Sequence, residues 1–222
     1  MRLMVIGAYG KAGSLIAKQA LDRRHNVTAV SRRRHPGFDF PTVLIKDARE
    51  LSRDDVAGFD AIIDATGAWT AEGETVHYEG ALHLMRLLRG TETRYLKVGG
   101  ANTLFIDGAH TRRLQELPSY YPRYMQGLSD AHQRGLDILR RFSDVRWTYV
   151  TPAYKFAPFG EYTGKYHVRG EEYRPGEDDD RMDYISYADY AKAMIDIIER
   201  HQYVREQITL VSGRNPDPRQ PW

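Results

Sequence analysis

Apolar residues along this chain follow two alternating rhythms. Continuous apolar runs of four or five residues, closed by glycine or a polar residue, alternate with longer stretches. In those stretches apolar residues return every three to four positions. Runs of the first kind read as buried strands, and stretches of the second as helices packed on them. The pattern predicts strands over Arg2–Ile6, Val27–Ser31, Thr42–Ile45, Ala61–Ala65, Arg94–Val98, Trp147–Thr151 and Gln207–Val211. It predicts a helix over Lys11–Arg24 with Ala12, Leu15, Ile16 and Ala20 on one face, and another over Glu74–Arg89 with His77, Ala81, Leu84 and Leu88 as its stripe. Two more helices are expected near Tyr124–Phe142 and from an N-cap at Ser186 to Arg200. Between them, Phe156–Arg181 is rich in glycine, tyrosine and charge, and is expected to carry a hairpin around Thr163-Gly164. The end of the chain, Arg214–Trp222, holds three prolines and is expected to be mobile.

Strands alternating with helices imply an α/β fold, a doubly wound parallel sheet covered on both faces. Right-handed crossovers then favour the strand order 3-2-1-4-5-6. A single domain is expected over residues 1–213, with a substrate-side lid at about 154–184 and a tail at 214–222. In such sheets a ligand lies across the carboxyl ends of the strands. The polar and glycine-rich punctuation falls at those ends, at Gly7–Gly10, Ser31–Arg34, Asp47, Thr66-Gly67, Gly99-Gly100 and Thr151-Pro152.

Composition narrows the chemistry. The 222 residues suit one α/β domain, and the 41% hydrophobic content suffices for a full core. With 32 basic against 30 acidic residues, bulk charge points to neither nucleic acid nor a membrane surface. No cysteine is present, which excludes disulfides, thiolate metal sites and a cysteine nucleophile. The first strand begins almost at Met1, and no apolar run approaches the roughly 20 residues that span a bilayer. The chain therefore reads as soluble and cytoplasmic, a monomer or weak homodimer. The histidines show no pair at metal-ligand spacing, so no metal is expected. The acidic run Glu177-Asp178-Asp179-Asp180 lacks the spacing of a calcium loop and reads as solvated.

The candidate chemistry begins at Met4-Val5-Ile6-Gly7-Ala8-Tyr9-Gly10-Lys11-Ala12-Gly13, an apolar strand, a glycine-rich turn and a helix start. Gly7 permits the tight turn, Gly10 lets backbone N–H groups approach a pyrophosphate, and Gly13 lets the helix pack close to the strand. The helix N-terminus holds the anion through its free N–H groups and dipole. An NAD site usually carries an acid about 20 residues further on. Here the second strand ends in Val30-Ser31-Arg32-Arg33-Arg34, without a carboxylate. Arginine grips phosphate with a planar fork, so the expectation is a 2′-phosphate, and hence NADP(H) preferred over NAD(H). Arg32 leads, with Ser31 and Arg33 beside it. Asp47 either accepts from the adenine amino group or caps a helix. The remaining expected cofactor contacts are Ala8, Tyr9, Lys11 and Ala12 in the first turn, Thr66, Gly67 and Ala68 after the fourth strand, Gly99 and Gly100 after the fifth, and Pro152 after the sixth.

Four segments occur in order: Gly7-Ala8-Tyr9-Gly10-Lys11-Ala12-Gly13, Lys97-Val98-Gly99-Gly100-Ala101, Trp147-Thr148-Tyr149-Val150-Thr151-Pro152-Ala153 and Ile185-Ser186-Tyr187-Ala188-Asp189-Tyr190-Ala191. Together they resemble an atypical short-chain dehydrogenase/reductase of the NAD(P)H-binding, NmrA-like kind. Within it the chain is similar to small flavin or biliverdin-IXβ reductase-like proteins, from Met1 to about Ser212. The resemblance implies a Rossmann fold and an NADPH-dependent oxidoreductase acting on a planar small-molecule acceptor such as a flavin or quinone.

The chain departs from ordinary short-chain dehydrogenases in one respect. Tyr120, Tyr121 and Tyr124 are followed four residues later by Tyr124, Met125 and Leu128, so the Tyr-x-x-x-Lys pair is absent. This disfavours a Tyr-dependent alcohol dehydrogenase or sugar-nucleotide epimerase, whereas hydride transfer to a flavin needs no activated tyrosine. It also leaves open a non-catalytic redox sensor. Pocket candidates are Asn102 and Thr103, as partners of a substrate carbonyl or as loop caps. His132, in Leu128-Ser129-Asp130-Ala131-His132, resembles the segment that carries a pocket histidine in flavin reductase-like relatives. It reads as a proton donor with the ordinary imidazole pKa of roughly 6.5, or as a helix-surface residue. Tyr154, Phe156 and Phe159 stack on the acceptor or pack a lid.

Overall fold

The computed structural model describes residues 1–36, 40–68, 73–173 and 183–212. The first half of the chain forms β1 (Arg2–Ile6), α1 (Lys11–Asp22), β2 (Asn26–Ser31), β3 (Thr42–Ile45), a short α2 (Arg53–Val56), β4 (Ala61–Asp64), α3 (Val76–Leu87) and β5 (Arg94–Val98). The second half adds α4 (Gln126–Arg140), β6 (Arg146–Pro152), β7 (Lys155–Ala157), β8 (His167–Arg169), β9 (Tyr184–Ser186), α5 (Tyr187–Glu199) and β10 (Glu206–Val211). Eight strands make one sheet in the order β3-β2-β1-β4-β5-β6-β10-β8. Its pairings are parallel except at the edge, where β8 runs antiparallel to β10. The order 3-2-1-4-5-6 read from the crossover rule is therefore present within a larger Rossmann-like sheet.

Strand alternation divides the core. Leu3 and Val5 of β1 face one side with Ile16, Ala17 and Ala20 of α1 and the apolar face of α5. Met4 and Ile6 face the other with Leu84 and Met85 of α3 and Leu136 and Leu139 of α4. Both sides of the central strands are thus dry, which is why they read as unbroken apolar runs. Burying them is what fixes the register.

The expected hairpin at Thr163-Gly164 does not form. Its flanking strands pair elsewhere, β7 with β9 in a separate parallel pair and β8 with β10. The cause is Asp189, buried in the first turn of α5. Its carboxylate accepts from Thr163 N at 3.0 Å, Gly164 N at 2.8 Å and Thr163 Oγ1 at 2.7 Å. A buried charged acceptor outcompetes local cross-strand pairing here. Ser186 caps α5 as expected, accepting from Asp189 N at 3.0 Å. The expected tail and the Glu177–Asp180 run lie outside the described residues.

Candidate functional site

The carboxyl edge of the sheet gathers the glycine-rich turns. Gly7 has φ +77°, and a Cβ there would stand 2.7 Å from the Ala65 carbonyl oxygen, so the turn demands glycine. A Cβ on Gly13 would collide with the Gly7 carbonyl, so glycine lets α1 begin directly behind β1. Gly10 is the N-cap of α1, no side chain caps it, and the first turn carries no acid. The leading N–H groups of α1 are left for an anion. Ala8 is buried behind this turn, and Lys11 is exposed beside it. Tyr9 stacks on His35 with ring centroids 4.1 Å apart, and His35 Nε2 lies 3.1 Å from Ser31 Oγ. This stack braces the β1–α1 turn against the end of β2, where Arg32, Arg33 and Arg34 are exposed.

Asp47 lies across from that loop. It caps the turn at Ala48–Glu50 and accepts from Arg49 N and Nε, both at 2.9 Å. The Arg49 contacts hold its carboxyl below the usual carboxylate range, and Arg32 is near enough to contribute. The capping role is the one the geometry displays.

Beneath the next two loops lies a cluster that sequence reading missed. Asp64 ends β4 and Lys97 nearly ends β5, in register as neighbours. Both side chains are buried, with Lys97 Nζ 3.2 Å from Asp64 Oδ2. Lys97 also donates to Thr66 Oγ1 at 3.1 Å. Thr66 Oγ1 and Tyr95 Oη donate to the two Asp64 oxygens at 2.6 and 2.7 Å. Burial alone would raise the Asp64 carboxyl, but the Lys97 charge and these donors hold it low. The signal was present in sequence: two opposite charges, one residue from the ends of adjacent apolar strands.

Two histidines adjoin this pair. His77 of α3 and His132 of α4 meet edge to face at 4.3 Å. His77 is buried, its Nε2 lies 3.4 Å from both N and O of Ala68, and its Nδ1 has no partner. Burial, reinforced by Lys97, pulls its pKa down to about 4. His132 hydrogen-bonds through Nδ1 to Asn102 Oδ1 at 2.9 Å. Burial, then His77 and Lys97, pushes it well below the ordinary imidazole value. His132 packs inward, not on the outer surface of its helix as one of the two expectations had it. Among the described residues, no group of three or more metal-ligating side chains occurs.

The other pocket candidates divide. Asn102 is buried, and its amide nitrogen is spent on Ser129 O at 2.9 Å and Gln115 Oε1 at 3.1 Å. Thr103 is buried too, donating to Gly100 O and accepting from Gln207. Neither is free for a substrate carbonyl, because the turn after β5 folds them under α4. Tyr154 joins Tyr120 and Tyr121 in an aromatic cluster and donates to Tyr120 O at 3.2 Å. Phe156 packs on Tyr187 and Tyr190 in the core, so it serves the lid, not a ligand. Phe159 is 77% exposed, with Lys11 Nζ 5.5 Å above its ring at the mouth of the glycine turn. Gly67 and Ala68 follow Thr66 on the surface side of the cluster, Gly99 and Gly100 follow Lys97, and buried Pro152 ends β6. Along this edge Gly10 and Gly67 are exposed, whereas Ala8, Gly100 and Pro152 are buried.

Comparison with known proteins agrees with this geometry. Residues 7–201 match a family described as NAD(P)H-binding. The protein YwnB of Bacillus subtilis (strain 168) is 36% identical, covering 96% of this chain and 99% of its own. A solved structure from Streptococcus pneumoniae TIGR4, named as a candidate NADH-flavin reductase, is 39% identical with a TM-score of 0.87, over 96% and 99% of the two chains. Another, from Bacteroides thetaiotaomicron and named as a candidate epimerase, is 28% identical with a TM-score of 0.77, over 95% and 96%. With its glycine-lined turn, uncapped helix and parallel sheet inside the matched span, the chain belongs to the NAD(P)H-binding family and uses a nicotinamide cofactor.

Proposed function

We propose that the protein is an NADPH-dependent reductase that delivers a hydride to a planar acceptor, a flavin or a quinone. The observation that carries the cofactor half is the pairing of an uncapped α1 N-terminus with an exposed, carboxylate-free arginine run at the end of β2. The α1 N–H groups would hold the pyrophosphate, and Arg32, braced through Ser31, His35 and Tyr9, would grip the 2′-phosphate. The Streptococcus relative's name speaks of NADH; Arg32 turns the reading toward NADPH here.

The acceptor half rests on what the site lacks and what it keeps. No Tyr-x-x-x-Lys pair exists to activate an alcohol, and Tyr120 and Tyr121 precede α4 instead of standing on it. That argues against epimerase chemistry, which needs a proton shuttle at a sugar carbon. When bound, the cofactor supplies the hydride. The loops at Thr66–Ala68 and Gly99–Gly100 and the end of β6 at Pro152 would seat the nicotinamide and acceptor, with the buried Asp64–Lys97 pair beneath them.

Mixing the protein with NADPH and flavin mononucleotide or a simple quinone, and following the nicotinamide absorbance, tests this. Acceptor-dependent NADPH oxidation is expected. Tight NADPH binding without turnover on any acceptor would replace the reading with a redox sensor.

A further inference from the structure

At the amino end of the sheet, away from the glycine-rich turns, a recess of about 500 Å³ opens between the end of α4, the starts of β6 and β10 and the turn after β8. That volume suits a small molecule. Trp147 lines it near the start of β6, whereas Pro152 ends that strand at the carboxyl edge, so roughly 16 Å of strand separate the recess from the cofactor loops.

The charges around the recess leave one cation open. Arg140 and Glu171 pair with each other, and Arg140 also donates to Gln207. Arg205 donates through Nη1 to Ser143 O at 3.2 Å, and among the described residues its Nε and Nη2 hold no partner. Those two groups share one edge of the guanidinium, the edge that meets a carboxylate with two parallel hydrogen bonds. Phe142 and Trp147 supply the apolar part of the lining, and exposed Glu206 disfavours a second negative charge.

The backbone that presents Arg205 is strained. Arg205 has φ +62° and Tyr203 φ +59°, a left-handed conformation that glycine adopts freely and arginine does not. Bonds from β5 and β6 hold the loop in it. Arg94 Nη2 donates to Gln202 O at 2.8 Å, Thr148 Oγ1 to Tyr203 O at 2.6 Å, and Arg205 N to Trp147 O at 2.6 Å. A strained residue fixed by its surroundings points to a use for its side chain. A hydrogen-bond chain also leads from the recess to the cofactor edge. Gln207 accepts from Arg140 Nη2 at 3.1 Å and donates to Thr103 Oγ1 at 2.9 Å, and Thr103 Oγ1 donates to Gly100 O at 2.8 Å.

We propose that this recess is an effector site for a small carboxylate on an apolar or aromatic body, gripped by Arg205 and linked to cofactor affinity through Gln207 and Thr103. It goes beyond the reductase reading and holds for whichever acceptor the protein uses.

Calorimetric titration of the full chain tests it, with benzoate as the probe and inorganic phosphate as the more highly charged control. Benzoate is expected to bind the wild type, to bind Arg205→Gly about tenfold more weakly, and to bind far more tightly than phosphate. Glycine relieves the left-handed backbone, so Arg205→Gly should keep or raise the thermal midpoint, which separates lost binding from lost fold. Saturating benzoate should shift the NADPH dissociation constant about fivefold, and NADPH should shift that of benzoate by the same factor. Thr103→Val should bind benzoate and lose the shift. Equal benzoate affinity in wild type and Arg205→Gly, equal binding of phosphate, NADPH affinity indifferent to benzoate, or a shift that survives Thr103→Val would each overturn the proposal. The reductase reading stands in all of these outcomes, because no acceptor enters the titration.

Discussion

The cofactor edge and the acceptor edge of this protein are built by opposite means. From Gly7 to Arg34 the site is local in sequence and made of backbone: one strand, one turn, one helix start and an exposed basic loop. From Asp64 to His132 it is made of side chains drawn from β4, α3, β5, the turn after β5 and α4. On the proposed reading the first recognises what nicotinamide dinucleotides share, a pyrophosphate and a ribose, for which glycine and free N–H groups suffice. On the same reading the second would discriminate among acceptors, since discrimination needs buried, oriented polar groups whose mispairing is costly.

That contrast can be broken from the acceptor side first. Lys97→Met leaves Asp64 charged and buried without its partner, and should cost about 3–5 kcal/mol of stability. The double variant Asp64→Asn with Lys97→Met should recover most of it, because Thr66 can still donate to the amide oxygen while the amide nitrogen donates to the Tyr95 hydroxyl oxygen. Urea midpoints of the four proteins in this cycle give the answer; additive losses would mean that the two charges do not act as a pair.

Acid probes the same region. Histidine in the unfolded chain has a pKa near about 6.5, whereas His77 when folded is held at about 4. The unfolded state therefore binds more protons in that window, and stability rises with pH. The contribution is present in full above the unfolded value and is lost as pH drops toward 4, a span worth about 3 kcal/mol. Thermal midpoints from pH 7 to 4 should fall steeply for the wild type and less for His77→Leu. Parallel slopes would remove His77 from the account.

The cofactor edge should respond more gently. Arg32→Ala is expected to weaken NADPH tenfold to a hundredfold, about 1.5–3 kcal/mol, and to leave NADH binding and the thermal midpoint almost unchanged. Titration of both nucleotides decides it, since equal losses would detach Arg32 from the 2′-phosphate.

The same division explains what could be read in advance. The limits of β1 and β5 were legible because strands buried on both faces leave a mostly apolar trace in the sequence. The turn at Gly7 was legible because a positive φ and a close approach both call for glycine. Asn102 and Thr103 were legible as polar residues at the right edge but not as buried ones, since their partners Ser129, Gln115 and Gln207 come from elsewhere in the chain. The Thr163-Gly164 turn failed for the same reason, its partner Asp189 lying on α5.

Hydrophobic periodicity and glycine placement alone determined the Rossmann-like sheet, its central strand order and the dinucleotide turn, because those rest on interactions within a few residues or on the burial of whole elements. Only the tertiary structure decided that Asp64 and Lys97 are a buried pair, that His77 and His132 meet, and that Asn102 points its oxygen at an imidazole. Proton positions and charge states depend on which groups share a low-dielectric space, and the chain order does not encode that neighbourhood until the helices are docked.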